Sequence, residues 1–153
     1  EGHFEGVLDV MDRLTNIVKP TKIFMGNKDF QQLILVKKYL KKRYNTDVIG
    51  CKTIREKNKV ALSSRNYLLS RNNIILASKI IKKLINVKKN IKLKKNKNKY
   101  LLTVKDDFQK QFKIRIEYLE FRDINNLKLS NIISRSRLFL AYYLNGVRLI
   151  DNL

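Results

Sequence analysis

The stretch Thr21-Lys22-Ile23-Phe24-Met25-Gly26-Asn27-Lys28-Asp29-Phe30-Gln31-Gln32 runs a short β-prone segment into a glycine and then into a helix start. Upstream, Val7, Met11, Leu14 and Val18 recur at helical spacing and predict a helix over 6–18, which Pro20 ends. Downstream, Phe30, Leu33, Ile34 and Leu40 give the stripe of a second helix, with Asp29 as its expected N-cap. Asp47-Val48-Ile49-Gly50-Cys51 reads as the next strand, with Cys51 expected as a small buried hydrophobe. Helix, strand, tight loop, helix, strand is part of an α/β unit with a parallel sheet. Such a sheet needs cover on both faces. Two strands cannot close that core, so an N-terminal piece of the sheet is expected to be missing. A first residue of Glu rather than Met points the same way, to a fragment or a processed chain.

Past residue 67 the character changes, and the expected domains are 1–67 and 68–153. Ile74, Ala77, Ile81 and Leu84 mark a helix, residues 90–99 read as an exposed loop or frayed helix end, and a shorter helix is expected over Tyr100–Gln111. Ile114, Ile116 and Tyr118 alternate with Arg115 and Glu117, as in a strand with one wet face. Leu138–Leu144 is an apolar strand, and Asn145-Gly146 is a turn that returns Val147–Ile150 as its hairpin partner.

The chain has 153 residues, 44% hydrophobic and 31% charged, enough apolar residues for a core. No apolar run approaches the roughly 20 residues of a membrane span, and Glu1-Gly2-His3 does not begin a signal peptide. One cysteine rules out an internal disulfide and a cysteine-based zinc site. A cytoplasmic location is therefore expected. The net charge of +21 ordinarily points to a polyanion. Here the excess is mostly lysine and travels with Asn and Ile, all encoded by AT-rich codons. The densest run, Lys82–Lys99, holds nine lysines with no acid and no aromatic, and reads first as a solvated face. Nucleic acid is not the expected partner.

Gly26-Asn27-Lys28-Asp29 lies where open α/β sheets bind ligands, at a strand end and a helix N-terminus suited to phosphate. Taken alone, the tetrapeptide reads first as a plain turn with a glycine and an Asp cap, because a short Gly-Lys motif is weak evidence. Gln32, with Gln31, offers amides for a polar substrate. Leu62-Ser63-Ser64-Arg65 supplies two hydroxyls and a guanidinium able to hold a polyphosphate, or else a serine-capped helix start. His3 is the single histidine, and no protein metal site is expected.

In order and spacing, Gly2-His3-Phe4-Glu5-Gly6-Val7, Gly26-Asn27-Lys28-Asp29-Phe30-Gln31-Gln32, and Arg55 leading into Ala61-Leu62-Ser63-Ser64-Arg65-Asn66 closely resemble the pantothenate synthetases (pantoate–β-alanine ligases). Arg148-Leu149-Ile150-Asp151-Asn152 is similar to that family's ending. The resemblance implies the C-terminal part of a Rossmann-like nucleotide-binding domain followed by a small lid-type α+β domain with an antiparallel sheet. It implies ATP-dependent joining of pantoate to β-alanine through a pantoyl adenylate, with Mg²⁺ accompanying ATP, in a homodimer. By resemblance Gly26, Asn27, Lys28, Asp29, Ile54, Leu62, Ser63, Ser64 and Arg65 bind ATP, and Gln32 binds pantoate. Lys28 and Arg65 are the candidate transition-state cations, and His3 is a further candidate. Residues 62–65 resemble the mobile KMSKS loop of class I aminoacyl-tRNA synthetases.

Several features depart from the family pattern. The family's first half, with its His-x-Gly-His signature, has no counterpart in this sequence. Asn27 replaces a common acid, Gly50-Cys51-Lys52 replaces Gly-Val-Pro, and Asn58-Lys59 replaces Asp-Gly; loss of that glycine is expected either to stiffen the loop or to alter its closure. The competing readings are a basic RNA-binding module and another adenylate-forming ligase acting on a different acid.

Overall fold

The computed structural model describes residues 2–93 and 96–153. They form two compact units, 1–53 and 54–153.

In the first unit, α1 (His3–Val18) and α2 (Phe30–Arg43) accompany the strands β1 (Lys22–Gly26) and β2 (Asp47–Cys51), which pair in parallel. A left-handed Lys19, φ 50°, ends α1 and donates its N–H to the Thr15 carbonyl, one residue before the predicted Pro20 stop. Of the expected stripe on α1, Val7 and Met11 are half-buried, whereas Leu14 and Val18 are exposed. The buried position is Thr15, whose hydroxyl is satisfied by the Met11 carbonyl at 2.6 Å. On α2, Phe30, Leu33, Val36 and Leu40 are buried and Ile34 is half-buried. Asp29 makes no side-chain cap. A single 3₁₀ turn, Asn27–Asp29, leads into α2 instead, and the Asp29 carboxylate lies 3.7 Å from Lys28 Nζ.

β1 and β2 show why half a parallel sheet looks as it does. Val48 is buried on the side where α2 packs. The opposite face carries Phe24 paired with Ile49, 66% and 36% exposed. Cys51 shares the Ile49 face by strand alternation, so it is exposed rather than buried.

In the second unit, α3 (Arg71–Asn90) and α4 (Lys97–Phe112) pack with an antiparallel sheet of β3 (Arg115–Asp123), β4 (Ser136–Leu144) and β5 (Val147–Asn152), in the order β3-β4-β5. Central β4 is buried from Leu138 to Tyr142, matching its unbroken apolar sequence. Asn145 and Gly146, φ 49° and 80°, make the tight hairpin turn. β3 runs past the expected Tyr118, because Leu119, Phe121 and Asp123 continue the inward alternation, and its register shifts at Glu117. The 90–99 segment is not a plain exposed loop. Ile91 is fully buried in a turn after α3, and α4 already begins at Lys97, while Lys94 and Lys95 lie outside the described residues.

The units divide at 53/54 rather than near 67. Val60 and Leu69 enter the second core, and the Ser78 hydroxyl donates to the Asn58 carbonyl at 2.7 Å, so 54–67 packs with the helices and sheet of the second unit. No helix among the described residues is long and apolar enough to cross a membrane.

Candidate active site

The first cluster is built on the β1–α2 connection. Gly26 ends β1 with extended backbone, φ −69° and ψ 132°, and a side chain there would meet open space. The following Asn27–Asp29 turn and the first turn of α2 set main-chain N–H groups and the positive end of the helix dipole beside Lys28. Asn27 lies over Gly50 of β2. A Cβ at Gly50 would come within 2.4 Å of Asn27 Oδ1 and 2.8 Å of Leu33 Cδ2, so the loop's shape depends on that missing side chain.

Gln32, half-buried in the first turn of α2, lines an open, mostly apolar cleft of about 520 Å³ with Gly2, His3, Gly6, Val7, Val10 and Met11. His3 and Gln32, 29 positions apart in sequence, therefore face one space. The ring of His3 is 5.4 Å from that of Phe4, and His3 is exposed.

The second cluster lies on a hairpin loop. Arg55 and Ala61 form an antiparallel bridge, and the Leu62 N–H donates to the Ile54 carbonyl at 3.0 Å. Between them Glu56 accepts from the Lys59 N–H and donates to the Val60 carbonyl, with Lys59 at φ 76°. This is a three-residue turn with a left-handed bulge position, where glycine is the unstrained choice. Ile54 and Leu62 are exposed side by side. Ser63 caps the 3₁₀ turn Ser64–Leu68, its Oγ accepting from the Arg65 N–H at 3.3 Å, while Ser64 stays exposed. The serine-cap reading thus holds for Ser63 alone. Arg65 is exposed and donates from Nη1 to the Arg148 carbonyl at 2.7 Å, using one of its five donors.

Beneath the hairpin sits a pair that the sequence left without a role. Arg55 Nη1 and Nη2 each donate to a different Asp151 oxygen at 2.7 Å, and the Asp151 side chain is buried. That hydrogen-bonded carboxylate raises the Arg55 pKa above its already high ordinary value. The contact spans 96 positions, so no local pattern announces it.

A family model described as pantoate-beta-alanine ligase matches residues 1–153. The chain belongs to the pantoate-beta-alanine ligase family. It is 38% identical to the pantothenate synthetase of Flavobacterium psychrophilum, over 99% of this chain and 55% of that protein. With the Leptospira interrogans pantothenate synthetase it shares 36% identity, over 99% of this chain and 54% of that one. The Thermus thermophilus pantothenate synthetase structure superposes with a TM-score of 0.87 at 29% identity, covering all of this chain and 56% of its own. A pantoate-beta-alanine ligase from Francisella tularensis, solved in complex with beta-gamma ATP and beta-alanine, matches with a TM-score of 0.77 at 33% identity, over 100% of this chain and 51% of that one. The chain spans about half the length of the curated relatives it matches.

In this chain the expected site residues fall into two groups. Gly26, Asn27, Lys28, Asp29 and Gln32 gather in the first unit, with His3 on the Gln32 cleft. Ile54, Leu62, Ser63, Ser64 and Arg65 gather in the second. The cleft-lining Val10 and Met11 carry no chemical signature that sequence alone could single out. Lys59, which replaces the family's glycine, holds a left-handed backbone, φ 76°.

Proposed function

We propose that this chain is the carboxyl-terminal portion of a pantothenate synthetase and carries much of its ATP and pantoate machinery. The pantoate carboxylate attacks the α-phosphorus of ATP, and the bond to the β-phosphate oxygen breaks, giving pantoyl adenylate and pyrophosphate. The amine of β-alanine then attacks the activated carbonyl, expels AMP and, after losing a proton, leaves pantothenate. Mg²⁺ enters with ATP as the counter-ion of its phosphates.

The supporting observation is the presence of two phosphate-suited clusters within one family-wide match. One is the Gly26–Asp29 turn with Lys28 at the entry to α2, and the other is the Ser64–Arg65 segment with its exposed guanidinium. Adenylation builds negative charge on the α-phosphate and on the departing pyrophosphate, where fixed cations and N–H donors act most strongly. Lys28 and Arg65 take that role, and Ile54 and Leu62 flank the adenine. Gln32 holds pantoate in line through its amide, which supplies the proximity term, and His3 borders the same substrate. The working enzyme is a cytoplasmic homodimer, and its mass in solution checks the second copy.

The test is pyrophosphate release with the relatives' amino-terminal portion supplied, by fusion or in trans. Lys28→Ala and Arg65→Ala should each slow pantoate-dependent release by roughly 10²–10³, the scale of losing one transition-state donor. Unchanged release in both variants overturns these roles. Release driven by another acid, and not by pantoate, overturns the substrate assignment.

A further inference from the structure

Asp151 lies in the last strand, far in sequence from every candidate ATP contact, yet its surroundings are all directed at one of them. Its buried carboxylate receives the Arg55 fork at 2.7 Å on both oxygens, and the Asn152 N–H at 2.7 Å. Arg55 in turn donates to the Lys59 carbonyl at 3.0 Å and to the Asn152 carbonyl at 3.3 Å. One guanidinium thus grips the start of the hairpin, its bulge and the end of β5 together. The two residues that bracket the Arg55–Ala61 bridge are Ile54 and Leu62, joined by the 3.0 Å main-chain bond. Three residues beyond Leu62, Arg65 docks on the carbonyl of Arg148, also in β5. Arg148 is itself held by Glu117 through bonds of 2.8 and 2.9 Å.

Resting on the reading that Ile54 and Leu62–Arg65 hold ATP, we propose that Asp151 is a positioning residue for nucleotide binding, acting through Arg55. Its carboxylate fixes the guanidinium, the guanidinium fixes both strands of the hairpin, and the hairpin sets the adenine-flanking residues against the triphosphate-binding segment. A planar fork is required, because a point charge cannot hold both carboxylate oxygens and the Lys59 carbonyl in one plane. Neither residue touches the nucleotide. Their effect therefore falls on ATP and leaves pantoate, held on α2, unaffected.

The variants are Asp151→Asn, Arg55→Lys and their combination, assayed with the amino-terminal portion supplied and after circular dichroism confirms folding. KM for ATP should rise roughly tenfold in each single variant, in line with the sensitivity of bound geometry to small displacements. KM for pantoate should stay within about twofold. The double variant should be no worse than the singles, because they share one interaction. If Asp151→Asn does not fold, Arg55→Lys alone decides, since it keeps the charge and removes only the fork. Unchanged KM for ATP in folded Arg55→Lys overturns the proposal, as does a parallel rise in both KM values, which marks a merely structural strut. Arg65→Ala separates the two levels of inference. If it raises KM for ATP while Arg55→Lys does not, the latch fails and the ATP reading stands. If neither responds, both fall.

Discussion

Lys59 holds a left-handed conformation, φ 76°, at the bulge of the hairpin that leads to Leu62–Arg65. An L-residue there costs about 1–2 kcal/mol, while a glycine costs about 0.5–1 kcal/mol in extra unfolded-chain freedom. Lys59→Gly should therefore stabilise the second unit by up to about 1.5 kcal/mol, seen as a higher urea midpoint at unchanged slope; a lower midpoint contradicts the strain assignment. The Glu117–Arg148 pair yields a pH prediction. The Arg148 hydrogen bonds hold the Glu117 carboxyl below the usual carboxylate range. Its contribution is thus complete above the unfolded value of about 4.3 and is lost as pH falls through the lower folded value. Both side chains are more than one-third exposed, so the contribution is about 1 kcal/mol or less. Glu117→Gln should lower stability at pH 7 and converge with the parent near pH 3. A constant difference across that range contradicts the pairing.

The elements differ in how completely they are covered, and this decides both their stability and how legible they were. In the second unit β4 is the central strand and is buried on both faces from Leu138 to Tyr142, whereas β1 and β2 leave Phe24 and Ile49 exposed. Hydrogen exchange on the chain alone should find the β4 amides the slowest and the β2 amides among the first to exchange. Equal protection in the two sheets contradicts this ranking. Helical spacing, the Pro20 stop, the Asn145-Gly146 turn and the unbroken apolar run of β4 are local signals, and each predicted its element. Burial across long sequence separations is not local. That is why Thr15 rather than Leu14 faces inward, why Cys51 lies on the open face, and why the unit boundary falls before the hairpin. The candidate site was legible where its chemistry is written in one short segment, as in Gly26–Gln32 and Leu62–Arg65. Its supports were not, because the Arg55–Asp151 pair and the fit of Asn27 over Gly50 exist only once the chain is folded.

For the molecule as a whole, two properties of the sequence pull in opposite directions. The net charge of +21 invites a polyanion. Within the lysine run, however, Lys83 lies 5.0 and 5.6 Å from the Phe108 and Phe112 ring centres and bonds to Gln111. Lys79, Lys82 and Lys89 are exposed on the same helix. Part of the run is packing and part is solvated surface, with no aromatic interleaved for bases to stack on. The uncovered apolar face of β1 and β2, with Val10, Leu14, Ile17 and Val18 exposed on α1, fits a chain that matches about 55% of its relatives' length. Under the proposed function, this chain supplies the ATP- and pantoate-handling portion of a pantothenate synthetase. The most direct test is to measure pyrophosphate release with ATP and pantoate, first on the chain alone and then with the relatives' amino-terminal portion added. Neither part should release pyrophosphate by itself, and the two together should release it in a pantoate-dependent manner. A folded complex of the two parts that releases no pyrophosphate with pantoate would contradict that function.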